Sequence, residues 1–208
     1  MRGDDDHAAS PPPLVIEVNG AFIILRLNRP RERNPLSSPT LAALEHAFDE
    51  SSARPGLKAV IITGADDVFA SGADIRELRT LTPATAREFS ERGQSLFQKI
   101  AEARLLTIAA VNGYCMGGGL DLALACRVRV AAPSAQFAHP GARLGIITGW
   151  GGTQRLPRLV GTARALEFFL TARRVKAEEA LRIGLVDRVA DDPVDEALKI
   201  AAVETRGG

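Results

Sequence analysis

The residues Asn112-Gly-Tyr-Cys-Met-Gly-Gly-Gly-Leu-Asp-Leu-Ala123 connect an apolar strand to a helix through a run of glycines. We predict a core strand over Leu106–Val111, a glycine-rich loop over residues 112–119 and a helix from residue 120. Consecutive glycines let a backbone approach a ligand closely, and the helix start adds N–H groups without intrahelical partners. The pattern indicates an anion or oxyanion site; a tight turn that packs strand against helix is the alternative.

Outward from this stretch, strands and helices alternate. Asn19-Gly20 joins two apolar runs and predicts a hairpin, and Ser38-Pro39 and Thr82-Pro83 have the composition of helix starts. The other predicted elements are a helix over 39–52, a strand over 58–63, a loop over 64–72, a strand over 127–131 and helices from 162 onward. This order favours an α/β fold with a largely parallel sheet, although no repeat is visible in the sequence.

Composition narrows the possible functions. The chain has 208 residues, 46% of them hydrophobic, with 26 Lys and Arg against 25 Asp and Glu and only 5% aromatic residues. A net charge of +1 gives no support for nucleic-acid binding through bulk charge. No apolar run reaches the ~18 residues of a membrane span. Two cysteines are too few for a disulfide framework and predict a reducing compartment, for which we take the cytoplasm, or the mitochondrial matrix if the source is eukaryotic. Three scattered histidines without ligand spacing predict no metal site.

Two aspartates are candidate functional residues. Asp121 lies in the first turn of the helix that follows the glycines, where it either exchanges protons or only complements the helix dipole. Asp74 follows Ser71-Gly72-Ala73, and we expect it to cap a helix over residues 75–81. The Gly-x-Ser-x-Gly motif of serine hydrolases is absent.

Five segments in order resemble the crotonase, or enoyl-CoA hydratase/isomerase, superfamily over residues 14–190. They are Leu27-Asn-Arg-Pro30, Ala70-Ser-Gly-Ala-Asp-Ile75, the stretch over 112–123, Gly151-Gly-Thr-Gln-Arg-Leu-Pro-Arg158 and the late Glu179-Ala180 with Gly184-Leu-Val186. The resemblance implies a spiral of β-β-α units, an acyl-CoA substrate and a homotrimer or dimer of trimers. It implies no bound cofactor, because the substrate itself carries coenzyme A.

The resemblance also implies a site. In the family two backbone N–H groups hold the thioester oxygen, and their motif positions fall on Ala73 and Gly118, with Asp121 as the acid/base group. We expect these three residues to be catalytic. The residues expected to contact the substrate and its coenzyme A are Arg31, Arg33, Ala73, Asp74, Ile75, Arg76, Gly117, Gly118 and Gly141.

The chain departs from the family pattern at its acid/base positions. One family glutamate is replaced by Asp121, which is one methylene shorter, and the second falls on Gly141, which cannot transfer a proton. A third carboxylate position of some relatives falls at about Gly149. His139 either substitutes for the missing glutamate or is a buried structural histidine.

These departures leave several hypotheses open. The first is hydration of 2-enoyl-CoA, with isomerisation, decarboxylation or thioester hydrolysis as other family reactions. The second is an acyl-CoA-binding protein without catalysis, and a distant third is RNA binding. We expect a disordered tail over residues 1–13, a core over 14–192 and the start of a truncated C-terminal helical region over 193–208.

Overall fold

Strands and helices alternate along residues 11–204, the part of the chain that the computed structural model describes. The strands are β1 (Leu14–Asn19), β2 (Phe22–Leu27), β3 (Pro35–Leu36), β4 (Ala59–Gly64), β5 (Val68–Ala70), β6 (Gly72–Ala73), β7 (Leu106–Val111), β8 (Tyr114–Met116), β9 (Val128–Ala131), β10 (Gln136–Ala138), β11 (Val175–Lys176) and β12 (Arg188–Val189). The helices are α1 (Ser38–Ala53), α2 (Ile75–Leu78), α3 (Pro83–Ala101), α4 (Gly118–Ala125), α5 (Gly152–Val160), α6 (Thr162–Thr171), α7 (Ala177–Arg182) and α8 (Pro193–Glu204).

The strands form two main sheets. The larger has the order β1-β2-β4-β7-β9-β12, in which β1 alone is antiparallel to its neighbour. The smaller has the order β11-β10-β8-β5. The pairs β4-β5, β7-β8 and β9-β10 each give one strand to each sheet before the chain enters α3, α4 or α5. These are the β-β-α units that the resemblance implies, and the expectation of an α/β fold with a largely parallel sheet is confirmed.

Two segments that we predicted as loops contain strands. The segment 64–72 includes β5 and the first residue of β6, and the segment 112–119 includes β8. These strands are two or three residues long, and β8 pairs with β5 and β10, which are distant in sequence. Local patterning is weak over so few residues, so their pairing is decided by tertiary contacts. The capping role of Asp74 is confirmed, since its Oδ1 accepts the Arg76 N–H at 2.8 Å, but the helix ends at Leu78 instead of residue 81.

Both faces of the larger sheet are covered. The main core packs one face against α1, α3 and α4, with Leu44, Phe48 and Phe97 fully buried. On the other face, Ala197 and Ile200 of α8 join the cluster of Ile61 and Ile108. Helix α8 therefore packs on the sheet, while the proposed division at residues 192 and 193 stays a prediction. Most of the predicted tail, residues 1–10, lies outside the described residues.

No helix within residues 11–204 is long and apolar enough to cross a membrane.

A buried asparagine ties the loop before α1 to the smaller sheet. Asn34 has a positive φ of 47°, which asparagine tolerates better than most residues. Its Nδ2 donates to the carbonyls of Val68 at 2.8 Å and Phe69 at 3.2 Å, and its Oδ1 accepts the Arg29 N–H at 2.7 Å. Asn34 thereby holds the arginine-rich turn over residues 29–33 against β5, beside the larger of the cavities described below.

Replacing Asn34 tests this tie. Asn34→Ala leaves two buried carbonyls and one N–H without these partners, and we expect it to lower the free energy of unfolding by about 2–3 kcal/mol. Asn28→Ala serves as the control, because it removes one long hydrogen bond of 3.4 Å to the Pro12 carbonyl. This control should change the free energy of unfolding by less than about 0.5 kcal/mol. Urea denaturation of both variants gives the comparison. Equal stabilities would contradict the role assigned to Asn34.

Candidate active site

Two backbone amides meet where β6 crosses the start of α4. Gly118 is the first residue of α4, so its N–H has no partner within the helix. A Cβ placed on Gly118 would lie 3.4 Å from the Ala73 nitrogen, and a Cβ placed on Gly72 would lie 2.9 Å from the Gly118 nitrogen. Gly72 also has a φ of 99°, which other residues rarely adopt. The structure therefore brings the amides of Ala73 and Gly118 together, as the motif positions predict.

A cavity of about 290 Å³ lies beside these amides. Its apolar wall includes Leu78, Phe89, Leu144 and Ile147, and Gly117, Gly118 and Gly141 also border it. This wall suits a hydrocarbon chain better than a charged group, because it offers few polar partners.

Trp150 forms one side of the same cavity, a position that the local sequence pattern did not predict. Its indole N–H donates to the Phe89 carbonyl at 3.3 Å, and its ring packs on Phe89 and Phe97 with centroids 5.2 and 5.6 Å apart. A Cβ on Gly93 or Gly118 would overlap the indole. The glycines at these positions therefore make room for a tryptophan that limits the cavity. The one feature of the sequence that could have drawn attention to Trp150 is its position between two glycines, Gly149 and Gly151.

Asp121 lies behind the cavity, in the first turn of α4. It is completely buried and does not itself line the cavity. The Thr148 hydroxyl donates to its Oδ2, and His139 Nε2 lies 3.6 Å from its Oδ1. A Cβ on Gly152 would overlap Oδ1, so the glycine at 152 is required for the carboxyl to occupy this place.

The environment shifts both buried titratable groups towards their neutral forms. Burial raises the pKa of Asp121 to about 6, and the hydrogen bond from Thr148 acts in the opposite direction. Burial lowers the pKa of His139 to about 4, so its ring is neutral near pH 7. Neither ring nitrogen of His139 has a hydrogen-bond partner among the described residues. Asp121 therefore combines a buried position with a pKa close to neutrality, which is typical of a group that exchanges protons.

The two remaining acid/base positions of the family carry no carboxylate here. Gly141 sits in a turn so tight that a Cβ would lie 2.6 Å from the Ile146 carbonyl oxygen. A longer side chain at 141 would need the backbone near Ile146 to move. At Gly149 the nearest atom to an added Cβ is the Ser90 hydroxyl at 3.5 Å, so a side chain fits there but none is present.

A second cavity, of about 870 Å³, adjoins the first and shares Ser71, Ala73, Ile75 and Pro140 with it. Six of the residues expected to contact the substrate line it: Arg31, Arg33, Ala73, Asp74, Ile75 and Arg76. Arg143 and Arg174 line it as well, from segments that are distant in sequence, and local patterning could not place them there. The cavity therefore has a basic lining suited to phosphate groups.

Arg76 differs from the other arginines of this cavity because its charge is already paired. Its guanidinium donates to both carboxylate oxygens of Asp74 and, at 2.8 Å, to Glu32. These bonds raise the pKa of Arg76 and hold the pKa of Asp74 below its usual range. Arg76 thus lines the cavity, but Asp74 and Glu32 occupy its Nε and Nη2 donors.

Comparison with known proteins agrees with this geometry. The family model for enoyl-CoA hydratase/isomerase matches residues 17–205. A short-chain-enoyl-CoA hydratase of Clostridium acetobutylicum is 40% identical over 179 residues, which cover 86% of this chain and 69% of the relative. A crotonyl-CoA hydratase of Syntrophomonas wolfei is 41% identical over 191 residues, which cover 90% of this chain and 74% of the relative.

Solved structures give the same result. An enoyl-CoA hydratase from Bacillus anthracis superposes with a TM-score of 0.87 at 34% identity, covering 91% of this chain and 75% of that one. DspI of Pseudomonas aeruginosa superposes with a TM-score of 0.89 at 37% identity, covering 99% and 83% of the two chains. The chain therefore belongs to the enoyl-CoA hydratase/isomerase family.

Proposed function

We propose that this protein hydrates short 2-enoyl-CoA thioesters to 3-hydroxyacyl-CoA. The observation that carries the proposal is the meeting of the Ala73 and Gly118 amides at a small apolar cavity, with the buried carboxyl of Asp121 behind it. The names of the two hydratases at 40% and 41% identity support the same reaction. The reaction as proposed requires no cofactor beyond the coenzyme A that the substrate carries.

The paired amides supply the electrostatic part of the mechanism. With the thioester oxygen between the N–H groups of Ala73 and Gly118, attack of water at C3 moves the π electrons onto that oxygen. The two N–H groups stabilise the resulting enolate more than the neutral thioester, because charge develops only as the reaction proceeds. One such donor typically contributes about 3–4 kcal/mol to the barrier reduction.

Asp121 supplies the proton chemistry in this scheme. The attacking water must lose a proton and C2 must gain one, and Asp121 is the one carboxyl among the described residues that combines full burial with a position beside the small cavity. Ionised Asp121 accepts the proton of water, and the protonated carboxyl then returns a proton to C2. A single group that serves both steps acts from one face of the double bond, so we expect syn addition.

The two adjoining cavities bind different parts of the substrate in this scheme. The apolar cavity receives the acyl chain, and its volume of about 290 Å³ and the wall formed by Trp150 favour a short chain. The larger cavity receives coenzyme A, with Arg31, Arg33, Arg143 and Arg174 available to its phosphates.

Assembly and location complete the proposal. Leu166 and Leu170 of α6 are 51% and 73% exposed and offer an apolar surface for contact between subunits. We therefore propose the homotrimer, or dimer of trimers, that the resemblance implies. Both cysteines are buried thiols, in keeping with the cytoplasm as the proposed location.

An acyl-CoA-binding protein without catalysis is the second candidate, and the glycine at position 141 favours it. It retains the two amides and both cavities but lacks the second carboxylate. Tight binding of crotonyl-CoA without product would establish this alternative.

Replacing Asp121 separates the two candidates. We expect purified protein to consume crotonyl-CoA, and Asp121→Asn to lower kcat by about 10²–10⁴-fold, since the amide cannot accept a proton. The loss of the conjugated-thioester absorbance measures the rate. Asp191→Asn, at an exposed site, is the control and should be fully active. A wild-type protein without turnover, or an Asp121→Asn variant as fast as wild type, would overturn the hydratase proposal.

The pH profile tests the ionisation of the same group. Because burial raises the pKa of Asp121 to about 6, the carboxylate is lost as the pH falls through 6. We expect kcat/KM for crotonyl-CoA to fall about tenfold per pH unit below 6 and to be level between about 7 and 8. The other titratable or charged groups that face Asp121 are His139, Arg155 and Cys115, and the Thr148 hydroxyl and the backbone N–H groups of Trp150 and Gly152 also act on it. His139, with a pKa of about 4, is neutral throughout this range, and burial raises the pKa of the Cys115 thiol well above it. An acid limb centred near pH 4 would contradict the assignment.

The basic cavity is tested with full and truncated substrates. Arg174→Ala combined with Arg31→Ala should raise KM for crotonyl-CoA by about tenfold with little change in kcat, because charge-assisted bonds to phosphate contribute about 1.5–3 kcal/mol each before solvent screening. Crotonyl-N-acetylcysteamine has no phosphates, and its KM should not change. Arg54→Ala, on an exposed turn, is the control. An equal increase for both substrates would mean that the arginines act on the fold.

A further inference from the structure

The position of Asp121 leaves a gap in the proposed proton transfer. The carboxyl is completely buried and does not border the small cavity, whereas half-buried Thr148 does. The Thr148 hydroxyl donates its hydrogen to Asp121 Oδ2. The hydroxyl therefore stands between the carboxyl and the space in which the substrate would react.

We infer that Thr148 is a catalytic residue whose hydroxyl carries protons between Asp121 and the reacting atoms. The inference rests on the proposed hydration and identifies how the short carboxyl side chain reaches the substrate. A hydroxyl is suited to this task because it donates and accepts a hydrogen bond at the same time.

The transfer balances in both directions. As the water oxygen bonds to C3, one water proton moves to Thr148 Oγ1 while the hydroxyl proton moves to Asp121 Oδ2. The π electrons of the double bond pass to the thioester oxygen. In the second step Asp121 returns its proton to Thr148, the hydroxyl proton bonds to C2, and the enolate electrons restore the thioester carbonyl. The net change is the addition of one water, and Asp121 and Thr148 end as they began.

The contacts of the other carboxyl oxygen, Asp121 Oδ1, offer no second route for a proton to the cavity. Oδ1 faces Gly152, where a Cβ would overlap it, and His139 Nε2 at 3.6 Å, beyond hydrogen-bond distance. The His139 ring packs on Phe169 with centroids 5.0 Å apart and is neutral near pH 7. Oδ2 is the oxygen whose hydrogen-bond partner lines the cavity, and that partner is Thr148.

Two substitutions at Thr148 test the relay. Thr148→Ser keeps the hydroxyl and should retain kcat within about threefold, whereas Thr148→Val keeps the shape without it and should lower kcat by about 10²-fold. Thr153→Val, in the next helix and outside the small cavity, is the matched control and should be as active as wild type. Both variants should bind butyryl-CoA as tightly as wild type and unfold cooperatively, which shows that they fold and bind. Thr148→Val should melt at a lower temperature than Thr148→Ser, because the buried Asp121 Oδ2 loses its hydrogen-bond donor.

A background with a longer carboxyl provides the readout that a structural role would not change. In Asp121→Glu the additional methylene lets the carboxyl reach the cavity directly. Adding Thr148→Val to this variant should therefore lower kcat by less than about fivefold, compared with about 10²-fold when Thr148→Val is made in the wild-type protein. A loss of the same size in both backgrounds, or equal rates for Thr148→Ser and Thr148→Val, would overturn the relay. If Asp121→Glu does not fold, the two single substitutions decide.

The result also distinguishes the relay from the reaction it serves. A wild-type protein without hydratase activity removes the proposed function, and the relay falls with it. An active wild type with an equally active Thr148→Val variant removes the relay alone and leaves the hydratase proposal standing.

Discussion

The close backbone contact between β5–β6 and the first turn of α4 is the constraint on which the site depends. A Cβ on Gly119 would lie 2.8 Å from the Ala70 side chain and would overlap the Ala70 carbonyl oxygen, and a Cβ on Gly72 would press on the Gly118 nitrogen. Any side chain at these positions separates the strand from the helix. The glycines therefore place two N–H donors together and also dock the helix on its β-β-α unit, so fold and site share one contact.

The same helix start also makes the buried carboxyl tolerable. Asp121 lies in the first turn of α4, where the positive end of the helix dipole favours a negative charge, and it accepts the hydrogen bond from Thr148. These interactions do not cancel the burial, since the pKa of Asp121 still rises to about 6. The protein thus holds a carboxyl that is ionised near pH 7 yet close to its protonated form, which suits a group that both accepts and donates a proton.

Sequence reasoning located the parts of the site that depend on local patterns. The glycine run, the helix start and Asp121 lie within one short stretch whose composition indicates an oxyanion site, whereas Ala73 was assigned from the family resemblance alone. It did not find Thr148, Trp150, Arg143 or Arg174, whose roles depend on which distant segments meet in space. It also missed β5 and β8, because three-residue strands leave no periodic pattern and form only by pairing across units.

The position without a carboxyl and the hydroxyl that bonds to Asp121 belong to one segment, residues 140–152. The turn there is tightened by the bond from the Ile146 N–H to the Gly141 carbonyl at 3.0 Å, which leaves no space for a side chain at 141. A few residues later, Thr148 borders the cavity and bonds to Asp121. The segment thus lacks a carboxyl at 141 and provides a hydroxyl at 148, next to an aspartate that is one methylene short of the family glutamate. A shorter acid and a bridging hydroxyl complement each other, because the hydroxyl spans the distance that the shorter acid leaves open.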